Sequence, residues 1–104
     1  MPTNTLKNYT FEVNDEGFFT DREQWSEDLA VELAALIDIE MDEAHWAPIR
    51  FMREDQAKTG ATPTLNRLKT VGGFDIKELF KLYPGKPAKK MAWIAGLQKP
   101  ANCV

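Results

Sequence analysis

The residues that usually carry chemistry are scarce in this chain. Its 104 residues include one cysteine, Cys103, and one histidine, His45. A single cysteine excludes an internal disulfide, and the lone histidine has no second ligand candidate at metal spacing. An excess of positive charge is missing too: the net charge is −3 and the pI is near 5.1, whereas dedicated nucleic-acid binders are commonly basic overall. No apolar run approaches the ~18 residues that would make a membrane-spanning helix. The start, MPTNTLKNYTFEV, lacks the basic and apolar regions of a secretory signal. Glu12–Glu43 is rich in acids, but no carboxylate pair there has the spacing of a hydrolytic site. Gly72-Gly73 is a turn, and no glycine-rich loop follows a strand to cradle phosphate. A free thiol without an export signal points to a reducing compartment, so the expected location is the cytoplasm, with neither a membrane nor a nucleic acid as direct partner.

What is present describes one domain. Hydrophobic residues make up 43% and charged residues 28%, ordinary for a globular chain of this length. The charge is divided unevenly. Residues 1–48 hold 12 acids against Lys7 and Arg22, whereas residues 49–104 hold 4 acids against 11 bases. Such polarity either solvates two faces differently or steers an anionic partner toward the basic one.

Alternation of Tyr9, Phe11 and Val13 predicts a strand, a turn at Asn14–Gly17 and a return through Phe18-Phe19. Gly17 supplies the positive φ of that turn. Five short helices are expected to follow. The first starts at Thr20 or Ser26 and presents Leu29, Ala30, Leu33, Ala34, Leu36 and Ile37. The second runs from an Asp42 cap to Lys58, with Gly60 closing it and Pro48 tolerated within its first two turns. Thr62-Pro63 opens the third, through Leu65 and Leu68, and Asp75 caps the fourth, Ile76–Tyr83. Pro87 opens the fifth, Ala88–Ala95, ended by Gly96. The expectation is an α+β domain over residues 1–96, a small N-terminal β-hairpin or meander on about five short helices, followed by a flexible C-terminal arm, 97–104.

Cys103 stands one residue from the C-terminus. Unpaired cysteine is among the most buried residue types, and a chain end is the place least able to bury it, so exposure here points to reactivity. An extended segment from Gly96 to Cys103 reaches roughly 23 Å, and Pro100 stiffens it. Lys99, Lys89 and Lys90 would favour the thiolate, and the terminal carboxylate would oppose it.

Three blocks resemble the DsrC/TusE sulfur-carrier family. They are Asp15-Glu16-Gly17-Phe18 followed by Trp25, the helix His45-Trp46-Ala47-Pro48-Ile49-Arg50-Phe51-Met52-Arg53, and the end, Pro87-Ala88-Lys89 through Ile94-Ala95-Gly96-Leu97 to Lys99-Pro100 and Cys103-Val104. The resemblance implies a DsrC-like fold and a sulfurtransferase-type carrier that accepts persulfide sulfur on Cys103. It implies no cofactor beyond that covalent persulfide. It also implies an upstream persulfide donor protein and a downstream acceptor, with Lys99, Lys89, Lys90, Arg67 and Trp93 as partner-binding candidates. Two settings follow from it: a relay for 2-thiolation of tRNA, and sulfur trafficking with dissimilatory sulfite reductase or another sulfur-oxidation complex.

Departures from the family pattern sharpen the choice. Asn66 stands where most members have arginine, with Arg67 one step along, and the segment between Leu68 and Tyr83 is short. Ala92 occupies the position of the second cysteine in sulfite-reductase-associated members, so an arm-to-helix disulfide is unavailable and the one-cysteine setting is favoured. A different reading rests on Thr62–Thr70, Gly72-Gly73 and Asp75–Tyr83 as a DNA-binding helix–turn–helix. Its would-be recognition helix offers mainly Lys77 and Lys81. His45, in the first turn of its helix, reads as a capping or packing residue, and Trp25 and Trp46 read as core.

Overall fold

The computed structural model describes residues 3–6 and 9–100. The N-terminal hairpin pairs differently from the expectation. Strand β1, Thr3–Leu6, runs antiparallel to β2, Tyr9–Glu12, with Thr3 opposite Glu12 and Leu6 opposite Tyr9. The expected return strand is reduced to one bridge, Val13 with Phe19. The Asn14–Gly17 turn is as expected. Asn14 Oδ1 accepts from the amides of Glu16 and Phe18, and Gly17 has φ 88°.

A single 3-10 turn, Arg22–Gln24, capped by Asp21, then leads into five helices. Helix α1, Glu27–Leu36, starts at Ser26, whose hydroxyl accepts from the Leu29 amide, which decides between the two possible starts. Helix α2, Glu43–Thr59, has Asp42 as its cap and ends at Gly60. Asp42 and His45 cap each other reciprocally, and His45 Nε2 meets the Leu82 carbonyl at 3.1 Å, so the histidine caps and packs as expected. Pro48 is the sixth residue of α2, beyond the four amides that lack helical acceptors, so one backbone hydrogen bond is missing. Burial of its ring in the core offsets that loss.

Helix α3, Leu65–Thr70, starts two residues later than expected, with Thr64 rather than Thr62 as cap. Thr64 Oγ1 accepts from the Arg67 amide, while Thr62 is buried. Helix α4 spans Ile76–Leu82 behind Asp75, and α5 spans Pro87–Ile94. With six and seven residues, α3 and α4 are short for a helix–turn–helix. The exposed side of α4 sets Glu78 among Lys77 and Lys81, which dilutes its appeal to phosphate.

Helix α5 is the axis of the core. Ala88, Met91, Ala92 and Ile94 are fully buried, and the last three pack with Ile49 and Met52 of α2, Ala30 and Ala34 of α1, and Leu79 of α4. A second cluster seats the hairpin on α1, where Phe11 stacks on Phe19 at 4.7 Å above Leu29 and Leu33. Trp25 and Trp93 pack against both clusters and join them.

Gly96 follows α5 at φ 69°, and a Cβ there would stand 2.6 Å from Trp25 Cδ1. Gly17 has a similar φ with nothing within 4 Å of the same position. Gly96→Ala should therefore add overpacking to the left-handed backbone penalty and lose about 3 kcal/mol of stability. Gly17→Ala should lose only the backbone part, about 1–2 kcal/mol. Urea unfolding of both variants checks this; equal losses would contradict the Trp25 contact.

Candidate functional site

The end of α5 determines where the cysteine-bearing segment begins. Ala95 is its cap residue, the Gly96 amide donates to the Trp93 carbonyl at 3.2 Å, and the Leu97 amide donates to the Ala92 carbonyl at 3.0 Å. This is a Schellman termination, in which an apolar residue after the glycine folds back on the helix. Leu97 is accordingly buried in the core, and Pro100 is buried as well.

The last carbonyls of a helix need donors, and here side chains distant in sequence supply them. Trp25 Nε1 donates to the Ile94 carbonyl at 2.7 Å. Arg53 Nη1 donates to the Ala95 carbonyl at 2.7 Å while its guanidinium lies over the Trp25 ring, 4.1 Å from the centroid. Arg53 also donates to the Arg22 carbonyl, and Arg22 returns a bond to the Arg53 carbonyl and one to Gln56. Burial, followed by the repulsion of Arg22, lowers the Arg53 pKa to about 10, which still leaves it charged at neutral pH. A cation at a helix C-terminus is favourable on electrostatic grounds alone.

The Asn14–Gly17 turn closes the third side. Trp93 Nε1 donates to the Gly17 carbonyl at 3.1 Å, and Lys99 Nζ pairs with Glu16 at 2.7 Å. The hydrogen bond from Lys99 holds the Glu16 carboxyl below the usual carboxylate range. The three blocks picked out in the sequence are thus three sides of one joint.

At the start of the expected arm, Leu97 and Pro100 are buried against the domain, while Gln98 and Lys99 between them are exposed. Measured from Pro100, the extended reach to Cys103 is roughly 10 Å rather than 23 Å. Cys103, and the flexible course expected for the last residues, lie outside the described residues.

The partner-binding candidates fall into two groups. Lys89, Lys90 and Trp93 line a groove of about 500 Å³ together with Glu16, Phe18, Ile37, Gly85 and Lys86. Lys99 reaches its rim through Glu16. Lys90 Nζ also donates to the Pro84 carbonyl at 2.5 Å. Arg67 does not join them. It makes two parallel hydrogen bonds to buried Asp55, at 2.6 and 2.8 Å, tying α3 to α2. The pair engages two of the five N–H donors of the guanidinium and gives Arg67 a structural role away from the groove. Sequence reasoning missed Trp25 and Arg53 as organisers of the site. An apolar residue directly after the helix-ending Gly96 was the available signal for the Schellman termination.

Arg67 holds the Asp55 carboxyl below its ordinary range, chiefly by hydrogen bonding. A carboxylate depressed in the folded state contributes stability above the unfolded value of ~3.9 and loses it as pH falls through the folded value. Asp55→Asn should be less stable than the parent at pH 7, and the gap should shrink on acidification below about pH 4. Urea midpoints across pH 3–7 check this, and a gap constant with pH would contradict it.

The chain is similar to known proteins over most of its length. A family model described as DsrC like protein matches residues 5–104. The sulfurtransferase TusE of Salmonella typhimurium is 36% identical over 99 residues, spanning 88% of this chain and 91% of that protein. The protein of the same name from Escherichia coli K12 is 33% identical over 100 residues, spanning 89% and 92%. Among solved structures, DsrC of Allochromatium vinosum superposes with a TM-score of 0.79 at 29% identity, covering 98% of this chain and 97% of that one. The oxidized gamma-subunit of the dissimilatory sulfite reductase from Archaeoglobus fulgidus does so with a TM-score of 0.75 at 30% identity, covering 99% and 100%.

Proposed function

The chain belongs to the DsrC-like family, and from that premise we propose that it is a cytoplasmic sulfur carrier whose acceptor atom is Sγ of Cys103. The observation that carries this reading is the joint at the end of α5. Trp25, Arg53 and Gly96 fix the base of a segment whose one reactive side chain stands three residues past the last packed proline.

The chemistry is thiol–persulfide exchange. The Cys103 thiolate attacks the outer sulfur of a donor protein's persulfide, the donor's S–S bond breaks, and the donor leaves as a thiolate. The new persulfide on Cys103 passes its outer sulfur to an acceptor protein by the same exchange, regenerating the thiol. Electrons balance without an added oxidant or reductant, and no cofactor beyond the persulfide is required. The curated relatives are named sulfurtransferases, and a relay of the tRNA 2-thiouridine type is the setting we favour for this chain. Ala92 supports that choice over trafficking with sulfite reductase. It is a fully buried alanine on α5, and a protein with one thiol cannot close a disulfide within itself.

Incubation with a cysteine desulfurase and cysteine should add about 32 Da per sulfur atom to the intact protein, a gain that reductant removes. Cys103→Ser should gain nothing and unfold at nearly the same urea concentration, since a substitution one residue from a chain end seldom changes stability. Mass gain by the serine variant would refute the assignment.

A further inference from the structure

The groove beside the joint has a composition that persulfide exchange at a cysteine does not by itself require. Its floor is apolar, formed by Phe18, Ile37 and Trp93, and its volume of about 500 Å³ lies in the range of ligand sites. Its rim carries Lys86, Lys89 and Lys90. The one carboxylate on that rim, Glu16, is occupied by Lys99. Helix α5 begins at this rim, and its cap residue, Lys86, makes no side-chain capping bond. The positive end of the α5 dipole therefore adds to the charge of the three lysines.

We propose that this groove is the docking site for an acidic segment of a partner protein, with one apolar side chain seated on Phe18, Ile37 and Trp93 and flanking carboxylates on Lys86 and Lys89. The proposal rests on the carrier reading, since a carrier must be held by its donor or acceptor while the thiol is delivered. Charge complementarity selects the occupant. A row of lysines above an apolar floor matches a peptide that alternates carboxylate and hydrocarbon. A long polyanion matches less well, because residues 1–48 of the same small domain carry 12 acids against 2 bases and repel it beyond the groove. Trp93 is held by its bond to the Gly17 carbonyl, so its ring forms a fixed wall of the groove.

The test uses the full chain and a blocked pentapeptide with one leucine between two pairs of aspartates. At low salt the peptide should shift the Trp93 indole N–H resonance, with a Kd on the order of 1 mM or tighter. Affinity should fall about tenfold in Lys89→Glu, whose other indole resonances report that the fold is intact, and should fall likewise when leucine is replaced by alanine. A peptide with lysines in place of the aspartates should not bind. Absence of a Trp93 shift, equal affinity for the lysine peptide, or an unchanged affinity in Lys89→Glu would each overturn the proposal. So would a single-stranded RNA of equal charge that bound the groove more tightly than the peptide. Loading of the parent protein by glutathione persulfide, a donor too small to need docking, tests the carrier reading separately. Loading without peptide binding sinks only the groove, and peptide binding without loading sinks only the carrier.

Discussion

Closure of the last turn of α5 on Trp25 is the constraint on which the rest of the molecule depends. Gly96 turns left-handed directly against the indole, which donates to Ile94, while Arg53 covers the ring and donates to Ala95. Each partner needs the others. Without the glycine the indole has no room, and without the indole and the guanidinium two terminal carbonyls lose their donors in a partly buried place, where an unmet polar group costs about 1–3 kcal/mol. The joint also ties the 3-10 turn before α1, the middle of α2 and the end of α5 into one body, which is how a domain with one two-stranded sheet fixes its C-terminal segment.

That fixation bears on delivery. A thiol on a long flexible arm searches a large volume and loses that freedom on entering a partner's site. A short segment leaving a fixed base reaches less far but presents the sulfur from a defined origin. Lys99, paired with Glu16, and buried Pro100 extend the fixed base past the helix. Glu16, which pairs with Lys99, also lines the groove, so the fixed base and the groove share a side chain.

Local features of the fold were legible in the sequence, and distant pairings were not. Asp42 and Asp75 announce their helices because a cap acts within three residues of itself, whereas Thr20 and Ser26 both offer a start for α1. Thr62 and Thr64 offered the same chemistry two residues apart. The choice between them is tied to burial of Thr62 and to the pairing of Arg67 with Asp55, twelve residues back. The strand at Tyr9–Glu12 showed its alternation, but its partner, TNTL, shows none, so the pairing went to the wrong side. At the site, Cys103 drew notice by its position and the lysines by their number. The bonds of Trp25 to Ile94 and of Lys99 to Glu16 span 69 and 83 residues, a separation at which no periodicity carries information. A helix-ending glycine by itself marks the end of a helix and not the end of packing, and the apolar Leu97 after it continues into the core.

Amide hydrogen exchange at residue resolution on the free, intact protein tests the central claim most directly. The account predicts that the Leu97 amide, bonded to the Ala92 carbonyl, exchanges as slowly as the core amides of α5, because opening it requires dismantling the joint. Exchange at Leu97 within about tenfold of an unstructured chain would contradict the account and restore a free arm that begins at Leu97.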